Sequence, residues 1–239
     1  VKPSSHSGRF SRIFDNVVGC APKDANLYYV GMGLRLRHEA SRRFDYVATL
    51  PPQEALHNEF AASGYLVEEL RKAKSNGELP PLYWDHPVVK AAPAGVDIHP
   101  RCVYVDGVAF GRGESCLAFW VYFLFSKTRH LVAVLRKSEL CSCGCKGWCS
   151  VHPVWSMLSW SIQALHSGTY PAARHDGAPW RDSDSMRSPM AGEAFGFASC
   201  CLFLKGDWGE FASTMAFPTW KDGICPCPMC FTEQATLYH

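Results

Sequence analysis

CVYVDGVAF (Cys102–Phe110), CLAFWVYFLF (Cys116–Phe125) and HLVAVL (His130–Leu135) follow one another closely, and their reading decides the fold. The first run alternates as a strand, with Asp106 near its end. The second is aromatic and β-branched, and the third is short and apolar. Short connections with Gly or Lys-Thr-Arg turn chemistry make an antiparallel three-strand meander the simplest arrangement. Downstream, VWSMLSWSIQAL (Val154–Leu165) places apolar residues at spacings of three and four, so it reads as a buried helix ended by Ser167-Gly168. FASCCLFL (Phe197–Leu204) is continuously apolar, as a buried strand is. It delivers Asp207, after which Trp208–Phe217 reads as a short helix containing Glu210.

Upstream, the pattern begins in LYYVGMGLRL (Leu27–Leu36), which is compatible with a strand pair or an irregular helix. Ala55, Leu56, Phe60, Tyr65, Leu66 and Leu70 recur at spacings of three to five and predict one amphipathic helix. Its basic end, Arg71, Lys72 and Lys74, suits the helix dipole. Residues 81–100, rich in Pro, His and Ala, read as an extended linker, and residues 168–192 as a polar loop or exposed insertion. The expected organisation is a basic, helical segment at 1–80, a linker at 81–100 and an α+β domain with a mixed sheet at 101–239.

Between the meander and the helix lies CSCGCKGWCSVH (Cys141–His152), and near the end of the chain CPCPMC (Cys225–Cys230). Zinc takes four soft or borderline ligands in a tetrahedron, commonly from two short knuckles. Cys227 and Cys230 have knuckle spacing, and Cys145 and Cys149 come close to it. With Cys141, Cys143, His152 and Cys225 they make eight ligands, enough for two structural zinc sites. Gly144 and Gly147 suit a tight ligand loop. Cys20, Cys102, Cys116, Cys200 and Cys201 read as small core hydrophobes.

The formal charge of +2 is too small to imply a polyanion partner by itself, but it is uneven. Residues 1–50 hold eight Lys/Arg against four Asp/Glu. Lys127, Arg129, Arg136, Lys137 and Lys146 face only Glu139 within 127–146. Arg129, Arg136, Lys137 and Lys146 are the candidates for a DNA-facing surface, with an ordinary solvated face as the plainer reading. The start, VKPSSHSGRFSR, lacks the apolar core of a signal peptide and begins without Met, as a piece of a longer protein would. The longest apolar run is too short for a bilayer. These features predict an intracellular protein without a membrane span, nuclear if DNA is its partner. No P-loop, G-x-S-x-G or G-x-G-x-x-G is present.

Asp106 and Asp207 each end an apolar strand. On neighbouring strands they would share a Mg²⁺ or Mn²⁺ ion, as phosphoryl-transfer sites do, with Glu210 or a later acid such as Glu233 completing the set. The plainer reading is a turn at Asp106-Gly107 and a helix cap at Asp207. The strand–strand–strand–helix–strand order with these acids resembles the ribonuclease H-like core of DDE transposases and integrases over residues 100–217. That likeness implies a metal-dependent nuclease or polynucleotidyl transferase with Asp106, Asp207 and Glu210 as catalytic residues. The wording VYVDGV, RHLVAVLRKSELCSCGCKGWC, RHDG, KGDWGEF and CPCPMC resembles a family present in many copies in predicted dinoflagellate proteomes, and high copy number implies a mobile-element origin. A non-catalytic zinc module binding nucleic acid or protein is the alternative, and a redox or disulfide-rich protein a third class. Metal content separates the third class from the others. A shared Asp106–Asp207 site separates the first from the second.

Overall fold

The computed structural model describes residues 27–111, 113–215 and 217–219, with the single positions 221, 223, 233 and 235. Six strands form one open sheet: β1 (Tyr28–Leu34), β2 (Arg43–Thr49), β3 (Ile98–Gly111), β4 (Glu114–Phe123), β5 (His130–Arg136) and β6 (Ala198–Gly206). Their spatial order is β1-β2-β5-β4-β3-β6. The pairs β1/β2, β2/β5, β3/β4 and β4/β5 are antiparallel, whereas β6 runs parallel to β3. The three apolar runs thus form the expected meander, in a mixed α+β fold.

Alternation explains why the strands hold. Val103, Val105, Leu117, Phe119, Val121, Ala133 and Leu135 are buried against a helix on one face. That helix, Trp148–Ser167, connects β5 to β6. Its inner residues Val151, Val154, Met157, Leu158 and Leu165 are fully buried. Gly168 at φ 73 supplies the left-handed turn that ends it, as Ser167-Gly168 predicts. Among the described residues four shorter helices precede it, so the helices are α1 (Pro52–Ala62), α2 (Tyr65–Ser75), α3 (Pro81–Asp85), α4 (Pro87–Ala91), α5 (Trp148–Ser167) and α6 (Trp208–Thr214).

Several expectations are corrected. The amphipathic pattern of residues 51–74 is two helices, broken at Ser63 and Gly64, and Tyr65 is exposed rather than inward. The break lets Leu56 and Leu66 join the main core while Leu70 and Ala73 join a second one. Residues 81–100 are not an extended linker. Pro81 and Pro87 sit in first turns, where a proline's missing N–H costs nothing, and they start α3 and α4. Tyr83 is buried there and donates to the Ile98 carbonyl at 2.9 Å. Residues 28–75 also share the sheet and core with the segment from β3 onward.

The loop 168–192 is likewise tied down. Arg174 and Asp184 are buried and ion-paired, and Arg187 bridges Asp184 to Glu54 of α1. Arg174 also donates to the Tyr29 carbonyl at 3.0 Å and lies 4.6 Å from the Tyr28 ring centroid. A network whose charges are all paired makes such burial tolerable.

The β1–β2 hairpin has a narrow seam with the rest of the sheet. Thr49 opposite Ala133 is the register pair between β2 and β5, supported by the Leu50 amide to the Val132 carbonyl at 2.8 Å. The buried face of β1, Tyr28, Val30, Met32 and Leu34, carries the rest of the hairpin's attachment to the core.

Candidate metal centre

The segment after β5 turns at Lys137–Glu139 and enters the first cysteine cluster. Gly144 at φ 99, Lys146 at φ 52 and Gly147 at φ 87 give three left-handed residues within four positions. That backbone coils the loop tightly, and only glycine adopts such angles without strain. Gly147 then caps α5, so Cys149 lies in its first turn. Ser150, fully buried, accepts from the Cys141 amide at 3.0 Å and fixes the loop to the helix.

This coil brings the Sγ atoms of Cys141, Cys143, Cys145 and Cys149 within 4.8 Å of one another. Four such thiols can hold a metal ion such as zinc. Among the described residues no other group of three or more His, Cys, Asp or Glu side chains gathers as tightly. Cys143 and Cys149 are 3.8 Å apart. A zinc–sulfur bond of roughly 2.3 Å gives a tetrahedron with edges of about 3.8 Å. Cys141 is buried, and the other three are partly exposed.

The cluster's electrostatics follow from crowding. Thiol donors from Cys141 and Cys145 pull Cys143 down to about 6. Cys145 is also lowered: burial opposes this, but the Cys149 amide and thiol outweigh it. Cys149, which donates to these neighbours, is pushed up to about 12. Thiolates this close cannot all ionise alone, and a divalent cation removes that conflict.

The cluster also grips the far end of the hairpin. The Arg35 amide donates to Cys141 Sγ at 3.2 Å, and Arg42 Nη2 to Cys143 Sγ at 3.6 Å. The Ser142 amide and hydroxyl both donate to the Arg35 carbonyl, at 2.8 and 3.0 Å. Donors aimed at sulfur are the outer shell that thiolate sites use. Arg35 and Arg42 carried no sequence signal for this role, because a basic turn is common on solvated surfaces.

Of the other expected ligands, the described residues include His152 alone. His152 is exposed on α5, its ring 5.5 Å from that of Trp148, and stands outside the four-sulfur group. Cys225, Cys227 and Cys230 lie outside the described residues.

The carboxylates are split. In the β3/β6 ladder Val105 pairs with Gly206, so Asp106 and Asp207 each follow a paired residue at the same end of the sheet. Asp106 accepts from the Tyr104 hydroxyl at 2.6 Å and the Gly107 amide at 2.8 Å. Asp207 caps α6, accepting from the Gly209 amide at 3.3 Å. Tyr104 is raised above its ordinary value first by the bond to Asp106 and then by burial, with Asp207 adding to it. Glu210 does not complete a three-acid group with them. It is buried and pairs with Lys137 Nζ at 2.5 Å, and it also accepts from the Thr214 hydroxyl. A Cβ on Gly107 would lie 2.5 Å from Glu210 Oε2, so Glu210 occupies the face that Gly107 presents. Successive strand residues face opposite ways, which puts the Asp106 carboxylate on the other face.

The expected basic surface is partly engaged as well. Lys137 is the partner of Glu210, Arg136 lies 3.5 Å from Glu139, and Arg129 stacks 5.1 Å above Tyr122. Lys146 is exposed within the cysteine coil. No helix among the described residues is long and apolar enough to cross a membrane. Comparison with known families, curated proteins and solved structures returned no match to this chain.

Proposed function

We propose that Cys141, Cys143, Cys145 and Cys149 bind one structural zinc ion that fastens the β1–β2 hairpin to the start of α5. The four convergent sulfurs, with the 3.8 Å spacing of Cys143 and Cys149, carry this reading. Four protein ligands fill a tetrahedron, so no position is left for water or substrate, and the ion's work is structural. The location supports it: the hairpin's seam with β5 is narrow, and its far end meets the cluster through Arg35 and Arg42. Elemental analysis of the purified chain is expected to find zinc that Cys141→Ser and Cys149→Ser each release. A metal-free, fully folded chain would overturn the reading.

A second reading is a divalent-metal nuclease core, active or decayed. It draws support from the order β5-β4-β3-β6 with β6 parallel to β3, which resembles the ribonuclease H-like arrangement, and from the Val105–Gly206 pairing beneath Asp106 and Asp207. In this reading Asp106 and Asp207 hold Mg²⁺ or Mn²⁺, while Glu210 stays with Lys137. DNA would be the substrate, with a nuclear location and a mobile-element origin, supported by the dinoflagellate-like wording. Incubation of the chain with DNA and Mg²⁺ or Mn²⁺ tests it: strand cleavage lost in Asp106→Asn supports an active core, and absence of both cleavage and Asp106-dependent Mg²⁺ or Mn²⁺ binding ends the reading.

A further inference from the structure

The outward face of the β1–β2 hairpin is not part of either reading. Alternation along β1 sends Tyr28, Val30, Met32 and Leu34 into the core, leaving Tyr29, Gly31 and Gly33 facing outward. On β2 the outward set is Phe44, Tyr46 and Ala48. The register places Gly33 opposite Phe44 and Gly31 opposite Tyr46. Tyr29, Phe44 and Tyr46 are 48%, 64% and 51% exposed. Three large rings left about half or more in water on one small face stand out against ordinary scattered exposure.

The rings are held in place rather than loose. The tip of Phe44 lies over Gly31, where an added Cβ would come within 2.4 Å of its Cζ. Phe44 and Tyr46 meet edge to face, 5.2 Å between centroids at 84°. Nothing lies within 4 Å of the Cβ position of Gly33, so the surface beside Phe44 is clear. The turn joining the strands is strongly basic: residues 35–43 carry Arg35, Arg37, Arg42 and Arg43 against Glu39 alone. Arg43 is engaged with Glu39 at 3.2 Å and Asp45 at 3.3 Å, and Arg42 donates to Cys143 Sγ at 3.6 Å, while Arg35 and Arg37 are exposed.

From this juxtaposition we propose that the outward face of the β1–β2 hairpin binds single-stranded nucleic acid. Bases stack on Tyr29, Phe44 and Tyr46, and phosphates lie along Arg35 and Arg37. Sheet-borne rings beside arginines are how unpaired bases and their backbone are held together. A duplex hides its base faces and offers such a platform only its backbone. An apolar protein partner would leave the arginine-rich turn without counter-charge. The zinc reading is not required, because the rings belong to the hairpin's own register.

The test is fluorescence anisotropy of the full chain with labelled oligo-dT, oligo-rU and a duplex of equal length. The expected result is binding of the single strands over the duplex, weakening steeply with salt as phosphate contacts release counterions. Phe44→Ala and Tyr46→Ala should each cost about fivefold or more in affinity, with Phe44→Trp restoring it. Both side chains are exposed, so folding is expected to survive, and circular dichroism checks it. Equal or tighter duplex binding, or affinity unchanged in both alanine variants, would overturn the proposal. So would a chain that binds no oligonucleotide but self-associates through these rings.

Discussion

The amide of Arg35 donates to the thiol sulfur of Cys141 at 3.2 Å, joining positions 106 residues apart. It couples the end of β1 to the first residue of the cysteine coil. The stability of the hairpin and the state of the cluster are therefore one problem.

Chelation should loosen the hairpin first. With the ion removed, the thiols at Cys141, Cys143, Cys145 and Cys149 repel as they ionise, and the grip on Arg35 and Arg42 weakens. Hydrogen exchange is expected to accelerate across Tyr28–Thr49 before it does in β3 and β4. Structural zinc contributes on the order of 10 kcal/mol to small metal-dependent folds. Here a sheet and core remain, so a partial loss of stability is expected. Uniform exchange before and after chelation would contradict this.

Asp184→Ala should be among the costliest substitutions outside the core. Asp184 is 2% exposed and pairs with both Arg174 and Arg187. Removing it leaves two buried guanidinium groups short of a partner, which costs about 3–5 kcal/mol. Because Arg174 also holds the Tyr29 carbonyl, the base of β1 should loosen too. Urea unfolding measures the loss, and a change under about 1 kcal/mol would show that the pair contributes little.

Acid should destabilise the fold through His99. This residue is 3% exposed, with its ring 5.0 Å from Phe60 and 5.8 Å from Phe123. Burial pulls it from 6.5 to about 4; Asp97 works against that shift, and Lys74 adds to it. The unfolded chain takes up the proton near pH 6.5 and the folded chain only near 4. Stability therefore falls as pH drops through that window, by up to about 3 kcal/mol from this side chain. His99→Leu should flatten the stability profile between those pH values, as thermal melts across the range would reveal.

Gly107→Ala should disturb the Lys137–Glu210 pair. The new methyl would meet Glu210 Oε2 at 2.5 Å and Lys137 Nζ at 2.8 Å. Lys137→Met instead leaves Glu210 buried without its cation. Both variants are expected to lose about 1–3 kcal/mol. If Asp106 supports metal-dependent cleavage, Lys137→Met should leave it in place, since the two lie on opposite faces of the sheet. Cleavage lost in Lys137→Met would place Glu210 in that chemistry after all.

Local rules made a good part of this protein legible. Alternation in Cys102–Phe110, Cys116–Phe125 and His130–Leu135 determined three strands and their antiparallel order, because side-chain period and short turns act over a few residues. Gly168 ended α5 for the same kind of reason. The four cysteines of the coil gathered because their spacing and the glycines between them are local too. Tertiary structure decided the rest. Nothing near Arg35 or Arg42 announces a thiol partner about a hundred residues away. Residue types alone place Glu210 with the acids and Lys137 with the basic surface; folding buries Glu210 and brings the half-buried Lys137 onto it, since a buried charge requires an opposite one. The leucines from Leu56 to Leu70 follow one helical period. The structure breaks that stretch at Ser63 and Gly64, and within the second helix Leu66 and Leu70 pack into different cores. Periodicity specifies which face is apolar, but what covers that face is settled by long-range register and packing.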